Sequence, residues 1–236
     1  MRIFKRGFFL LFFPFLAVFF SCSARIDGVV MAGGSAEINV RASLGPRTAA
    51  LVQTLRGFMG DTRNTPVLDA EVISRSLSVA SGIKTVSLKN TSAEALEGTI
   101  AVSNVGDLLL SEKDMFITYS ESAASSSITV VLDRNSAPLL ISRLSPEVGE
   151  YLSALMAPVA LGEYMSSVEY LSLISMVYGR LLADEIAESR IKASIDFPRP
   201  VLSVSGGSSS GRRAEFDIPL LDILVLEKPL RYEVKW

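Results

Sequence analysis

Eight of the twelve phenylalanines stand within the first twenty residues, at positions 4, 8, 9, 12, 13, 15, 19 and 20. Seven of the eight follow a basic start, Arg2, Lys5 and Arg6, and no acid stands among them. A charged start and a short apolar run mark an export signal rather than part of a fold. The run from Phe8 to Phe20 holds thirteen residues, which as a helix spans roughly 20 Å, short of a ~30 Å hydrocarbon core. Pro14 also interrupts it. Residues 1–21 are thus expected to be a cleaved signal, and folding falls to the other 215. Without Arg2, Lys5 and Arg6, 20 basic side chains remain against 25 acidic ones, a net charge near −5.

That remainder excludes several kinds of chemistry. With no His there is no imidazole base or metal ligand, and one Cys allows neither an intrachain disulfide nor a thiolate zinc cluster. An acidic chain without a basic run is a poor partner for nucleic acid. No metal or cofactor is expected.

Phe19-Phe20-Ser21-Cys22 puts a small residue directly before the sole cysteine, and that cysteine directly after the apolar run. The segment resembles the lipobox of bacterial lipoproteins. The usual pattern prefers Leu and a small residue where this chain has two Phe, and the match is to the looser lipoboxes of spirochaetal lipoproteins. The resemblance implies cleavage before Cys22 and a diacylglyceryl group on its thiol. It also implies an exported domain, lipid-anchored to the cell membrane or outer membrane and standing in the periplasm or at the cell surface. Each buried CH₂ contributes about 0.8 kcal/mol, and two or more chains anchor stably where one does not. Ser23 rather than Asp follows the cysteine, so the enterobacterial sorting rule implies no retention in the inner membrane.

Residues 22–35, with Gly28, Gly33 and Gly34, read as the lipidated N-terminus and a tether, and 36–236 as one domain. Residues 36–44 alternate, Ile38, Val40 and Ala42 against Glu37, Asn39 and Arg41, which predicts a half-buried strand. Pro46 opens a helix to about Met59 with Gly60 as its cap, and Thr65-Pro66 opens a second, closed by Gly82. Strands follow near 85–89 and 98–102, joined by 90–97, then a short helix at 106–111. A hairpin pairs 116–119 with 128–132 across a Ser-rich stretch. Residues 136–190 form an apolar helical block ending in one long helix at about 163–189, with the stripe Tyr164, Val168, Leu171, Ile174, Tyr178, Leu181 and Leu182. Ile191, Ala193, Ile195 and Phe197 alternate next, 201–205 stays extended, and 206–211 reads as a flexible loop. Leu230, Tyr232, Val234 and Trp236 share a face in the last strand. Strands on both sides of a helical block, without βαβ alternation, predict an α+β fold with a mostly antiparallel sheet packed against several helices.

Candidate chemistry is sparse. Ser81–Lys84 and Ser189–Lys192 match S-x-x-K, but that dyad needs Ser and Lys on one helix face. Asp184, Glu185 and Glu188 lack the loop of a calcium site and read as a solvated helix face. The Gly-rich 205–211 lacks the Lys of a phosphate loop, and Arg212-Arg213 after it adds only two charges. No catalytic residue is assigned, and an enzyme is not expected. Tyr151, Met156, Tyr164, Met165, Tyr170, Met176 and Tyr178 form the candidate surface for a lipid or other apolar ligand, or for an envelope protein that docks on the apolar helices. Phe197-Pro198, Val201, Gly206 and Trp236 resemble the end of LppM-like lipoprotein domains over about forty residues. The expected role is a membrane-anchored, non-catalytic binding or structural module.

Overall fold

The computed structural model describes residues 23–58, 66–80, 82–110, 116–122, 124–142, 153 and 155–236. Cys22 and the signal before it, Gly60, Thr65, Ser81 and Tyr151 lie outside the described residues. In chain order come strands β1 (Ser23–Val30) and β2 (Ala36–Ser43), then helices α1 (Pro46–Phe58) and α2 (Ala70–Ser78). Strands β3 (Ile83–Ser92) and β4 (Ala95–Val102), helix α3 (Val105–Leu110), and strands β5 (Ile117–Glu121) and β6 (Ser126–Leu132) follow. Helices α4 (Ala137–Ser142), α5 (Ala157–Ala160), α6 (Ser167–Tyr178) and α7 (Arg180–Glu188) lead to β7 (Arg190–Asp196). The chain ends with β8 (Ser203–Ser205), β9 (Ser208–Ser210), β10 (Arg213–Pro219), α8 (Leu220–Val225) and β11 (Leu230–Lys235). The class is α+β.

The strands form two sheets rather than one. The larger runs β3-β4-β2-β1-β7-β10-β9 and the smaller β5-β6-β11-β8. All pairings are antiparallel except β1 with β7. Registers keep apolar parity across the large sheet. Ala42, Ala24, Ile191 and Ile218 make one inward row, and Val40, Ile26, Ala193 and Phe216 the next. The polar residues between them face solvent.

The expected tether is therefore a strand. Ala24, Ile26, Gly28 and Val30 alternate inward with Arg25, Asp27 and Val29 outward, and β1 lies between β2 and β7 in the large sheet. Only 31–35 remain as the turn into β2. The 90–97 connection also shrinks, because β3 and β4 extend to leave two residues between them. Residues 206–211 are an ordered corner, not a free loop. Gly206 and Gly207 carry the chain from β8 in the small sheet to β9 in the large one. A Cβ on Gly206, at φ 77°, would meet the Arg231 carbonyl at 2.7 Å, and one on Gly207 the Glu215 carbonyl at 2.4 Å. Only glycine fits where backbones pass this closely.

The second helix begins at Ala70, because Asp69 caps it by accepting hydrogen bonds from the Glu71 and Val72 amides. The long helix expected at 163–189 is two helices broken at Gly179, whose φ of 92° no helical residue adopts. The break splits the expected stripe, of which Ile174 and Leu182 face the core. Tyr170 and Ile174 face the core in α6, and Leu182, Ala183 and Ile186 do so in α7. Val168, Tyr178 and Leu181 face outward. Nor is the acidic end of α7 merely solvated. Glu185 accepts from the Thr48 amide at 2.7 Å, the Thr48 hydroxyl at 2.6 Å and the Arg47 amide at 3.2 Å, capping α1 across 137 residues of chain. Asp184 pairs with Arg180 on its own helix.

Candidate functional site

The inward faces of the two sheets meet around a cavity of about 180 Å³. The large sheet contributes Ile26, Gly28, Ile38, Ala193, Ile195 and Phe216. The small sheet contributes Ile117, Ile128, Val130, Leu132, Tyr232 and Val234, and Val105, Leu109 and Ile223 close one side from α3 and α8. Period-two alternation presents these side chains. The register then aligns them, with Ile117, Val130 and Tyr232 abreast and Ile128 beside Val234.

Small residues make the space. Gly28 pairs with Ile195 in the parallel register, and a Cβ built on it would meet Ile195 at 3.6 Å and the Glu37 carbonyl at 4.0 Å, both ordinary contacts. Ala36 and Ala193 also line it. Aromatic residues close another side. Trp236 stacks on Phe197 with ring centroids 4.4 Å apart, and Phe216 meets Tyr232 edge-on at 5.8 Å. Burial, helped by the nearby Asp222 carboxylate, pushes the Tyr232 phenol up to about 12, so it stays neutral across the physiological range. Glu233, the charged residue of the lining, is engaged by Arg231 at 2.5 Å. The walls offer an apolar occupant contact area and almost no hydrogen bonding.

None of the sequence-predicted candidates among the described residues lines this cavity. Met156 is fully buried, and Tyr170 is 2% exposed with its hydroxyl donating to the Leu155 carbonyl at 2.8 Å. Both are packing residues of the helical layer. Burial pushes the Tyr170 phenol far up. Met165 is half-buried against the core. Tyr164, Met176 and Tyr178 are exposed, Met176 by 80%. With Leu161, Val168, Leu173, Val177 and Leu181 they leave an apolar outer face along 161–181. The Arg134 guanidinium sits 5.1 Å from the Tyr164 ring centre. The structure therefore separates two roles that the sequence reading joined: a partly open apolar cavity between sheets and an exposed face on the helices.

The S-x-x-K match at 189–192 is not a dyad. Ser189 ends α7 and donates its hydroxyl to the Glu185 carbonyl at 2.6 Å, whereas Lys192 stands on the exposed side of β7. Among the described residues no group of three or more acids, Cys or His could hold a metal ion, and no helix is long and apolar enough to cross a membrane.

No family model matches the chain. No curated protein matches it either. Among solved structures, the NMR structure of the folded domain of the Mycobacterium tuberculosis protein LppM is similar at a TM-score of 0.42 and 7% identity, covering 90% of this chain and 87% of that one.

Proposed function

We propose that the chain is a bacterial lipoprotein, anchored through Cys22, whose exported domain holds an apolar ligand of the lipid class between its two sheets. The inter-sheet cavity is the observation that carries this reading. Protein interiors pack to crystal-like density, and a void of 180 Å³ left empty costs roughly 4 kcal/mol at about 24 cal/mol per Å³. That is a large part of the ~5–15 kcal/mol that holds a domain folded. The cavity exceeds the ~150 Å³ apolar void that stays dry and takes up benzene. An acyl segment or other apolar guest would offset the cost. The anchor rests on the lipobox resemblance and on the place of the sole cysteine.

Protein purified from membranes tests both parts. The mass of the N-terminal peptide reads the acyl chains on Cys22, and organic extraction of the washed protein reads the cavity guest. A Gly28→Leu variant projects four carbons into the cavity and should carry at least fivefold less extractable lipid while keeping its fold. Equal lipid in both proteins would remove the cavity from the function. A second reading, a docking subunit of an envelope complex, is supported by the apolar outer face along 161–181.

A further inference from the structure

The outward face of the large sheet carries a concentration of positive charge that the acidic domain as a whole does not predict. Where β2, β1 and β7 run side by side, two successive outward rows read Ser43–Ser23–Arg190 and Arg41–Arg25–Lys192. Arg25 stands directly opposite both Arg41 and Lys192. Like charges opposed in this way destabilise a sheet, and here three stand abreast. Acids stand beside these cations and hold part of their charge. Asp27 pairs with Arg25 at 2.9 Å, Glu97 reaches Arg41 at 3.8 Å but Lys89 at 3.1 Å, and Asp217 lies opposite Lys192 on β10. The six positions line an open groove of about 490 Å³ in which Glu97 is the single acid against four cations, and the Ser23 and Ser43 hydroxyls meet there at 2.9 Å. Guanidinium, ammonium and hydroxyl groups on one surface are the donor set that phosphate takes.

The patch adjoins Ser23, the residue after Cys22. Arg25 is three residues from Cys22 in the chain, a reach of at most ~11 Å in any conformation, close to one Debye length at physiological salt. We infer that this face binds the phosphates of anionic headgroups in the bilayer that takes Cys22, seating the domain on the membrane by its open sheet. The inference rests on the anchor proposed above. Its shared chemistry is phosphate recognition, whose other source is free phosphate in solution.

Lysine footprinting on the membrane-held protein separates the possibilities. The full chain is processed, placed in nanodiscs of neutral phosphatidylcholine or of a mixture with phosphatidylglycerol, and acetylated for mass spectrometry. Lys192 should react about fivefold more slowly in the anionic discs, with Lys228 and Lys235 unchanged. An R25Q/R41Q variant should lose that protection. It should also melt at the same temperature or about 1–2 °C higher, since opposed cations are gone. R25K/R41K should keep the protection. Equal Lys192 rates in both discs would overturn the inference. Equal slowing by inorganic phosphate in neutral discs would overturn the membrane assignment. The same digest reads Cys22: a protected Lys192 without acyl chains sinks the anchor and leaves the phosphate surface, while acyl chains without protection do the reverse.

Discussion

Arg134 does more for this fold than its half-exposed position suggests. Its Nε donates to the Leu226 carbonyl at 3.1 Å and its Nη2 to the Val225 carbonyl at 3.2 Å, while Nη1 donates to the Glu163 backbone carbonyl. The first two are orphan acceptors at the C-terminus of α8, where a cation also meets the helix dipole. Leu226 sits there in the left-handed region at φ 46°, a conformation costly for a residue with a Cβ. Arg134→Met keeps the stem but strands those carbonyls, so urea unfolding should show a loss of about 2–4 kcal/mol. Arg134→Lys should recover only part, because one ammonium cannot copy a planar fork. No sequence pattern announces this role. The partners are backbone atoms 91 and 92 residues away, and a backbone acceptor leaves no trace in residue type.

At the scale of elements, helix starts are tied by carboxylates. Ser166 and Glu169 form a capping box on α6, and Glu227 accepts from the Ser167 amide at 2.9 Å and its hydroxyl at 3.1 Å. The hydrogen bonds from Ser166 hold Glu169 below the ordinary Glu range, and those from Ser167 do the same for Glu227. A carboxyl whose folded pKa is depressed contributes stability that is present above its unfolded pKa and lost as pH falls through the folded one. The melting temperature should therefore hold from pH 7 to about 5 and fall below ~4.5. Glu227→Gln should flatten part of that fall, read by thermal unfolding across the pH series. The capping box is legible in the sequence, since Ser, Glu and their spacing are local. The partner Glu227 is not, because it arrives from another element. Nor is the break at Gly179, where apolar spacing runs on through a glycine that a helix can tolerate and only the backbone angle reveals the turn.

For the whole molecule, the decisive placement is that of the first strand. Alternation makes β2, β7 and β11 readable one at a time. Gly28 hides the same alternation in β1, because a glycine stands where an apolar side chain belongs and Gly33-Gly34 follow closely. The cavity was hidden for a related reason: its walls come from strands whose facing is set by pairings far apart in the chain. A chain beginning at Ser35 tests the strand against the tether. If 23–30 merely tethered, it would fold normally; as a strand between β2 and β7 its loss should abolish cooperative unfolding and near-UV circular dichroism. A chain beginning at Ser23 should retain both.

The parallel pairing of Ser23–Val29 with Arg190–Asp196 also sets an order of events. A chain made N-terminus first can close the β1–β2 hairpin and add β4 and β3 early, since those contacts are near in sequence. The other edge of β1 then waits for some 160 further residues, exposing a row of unpaired amides and carbonyls beside apolar Ile26. Folding is thus paced by the arrival of β7, and slow delivery of the C-terminal half leaves a half-sheet open to pairing with its neighbours.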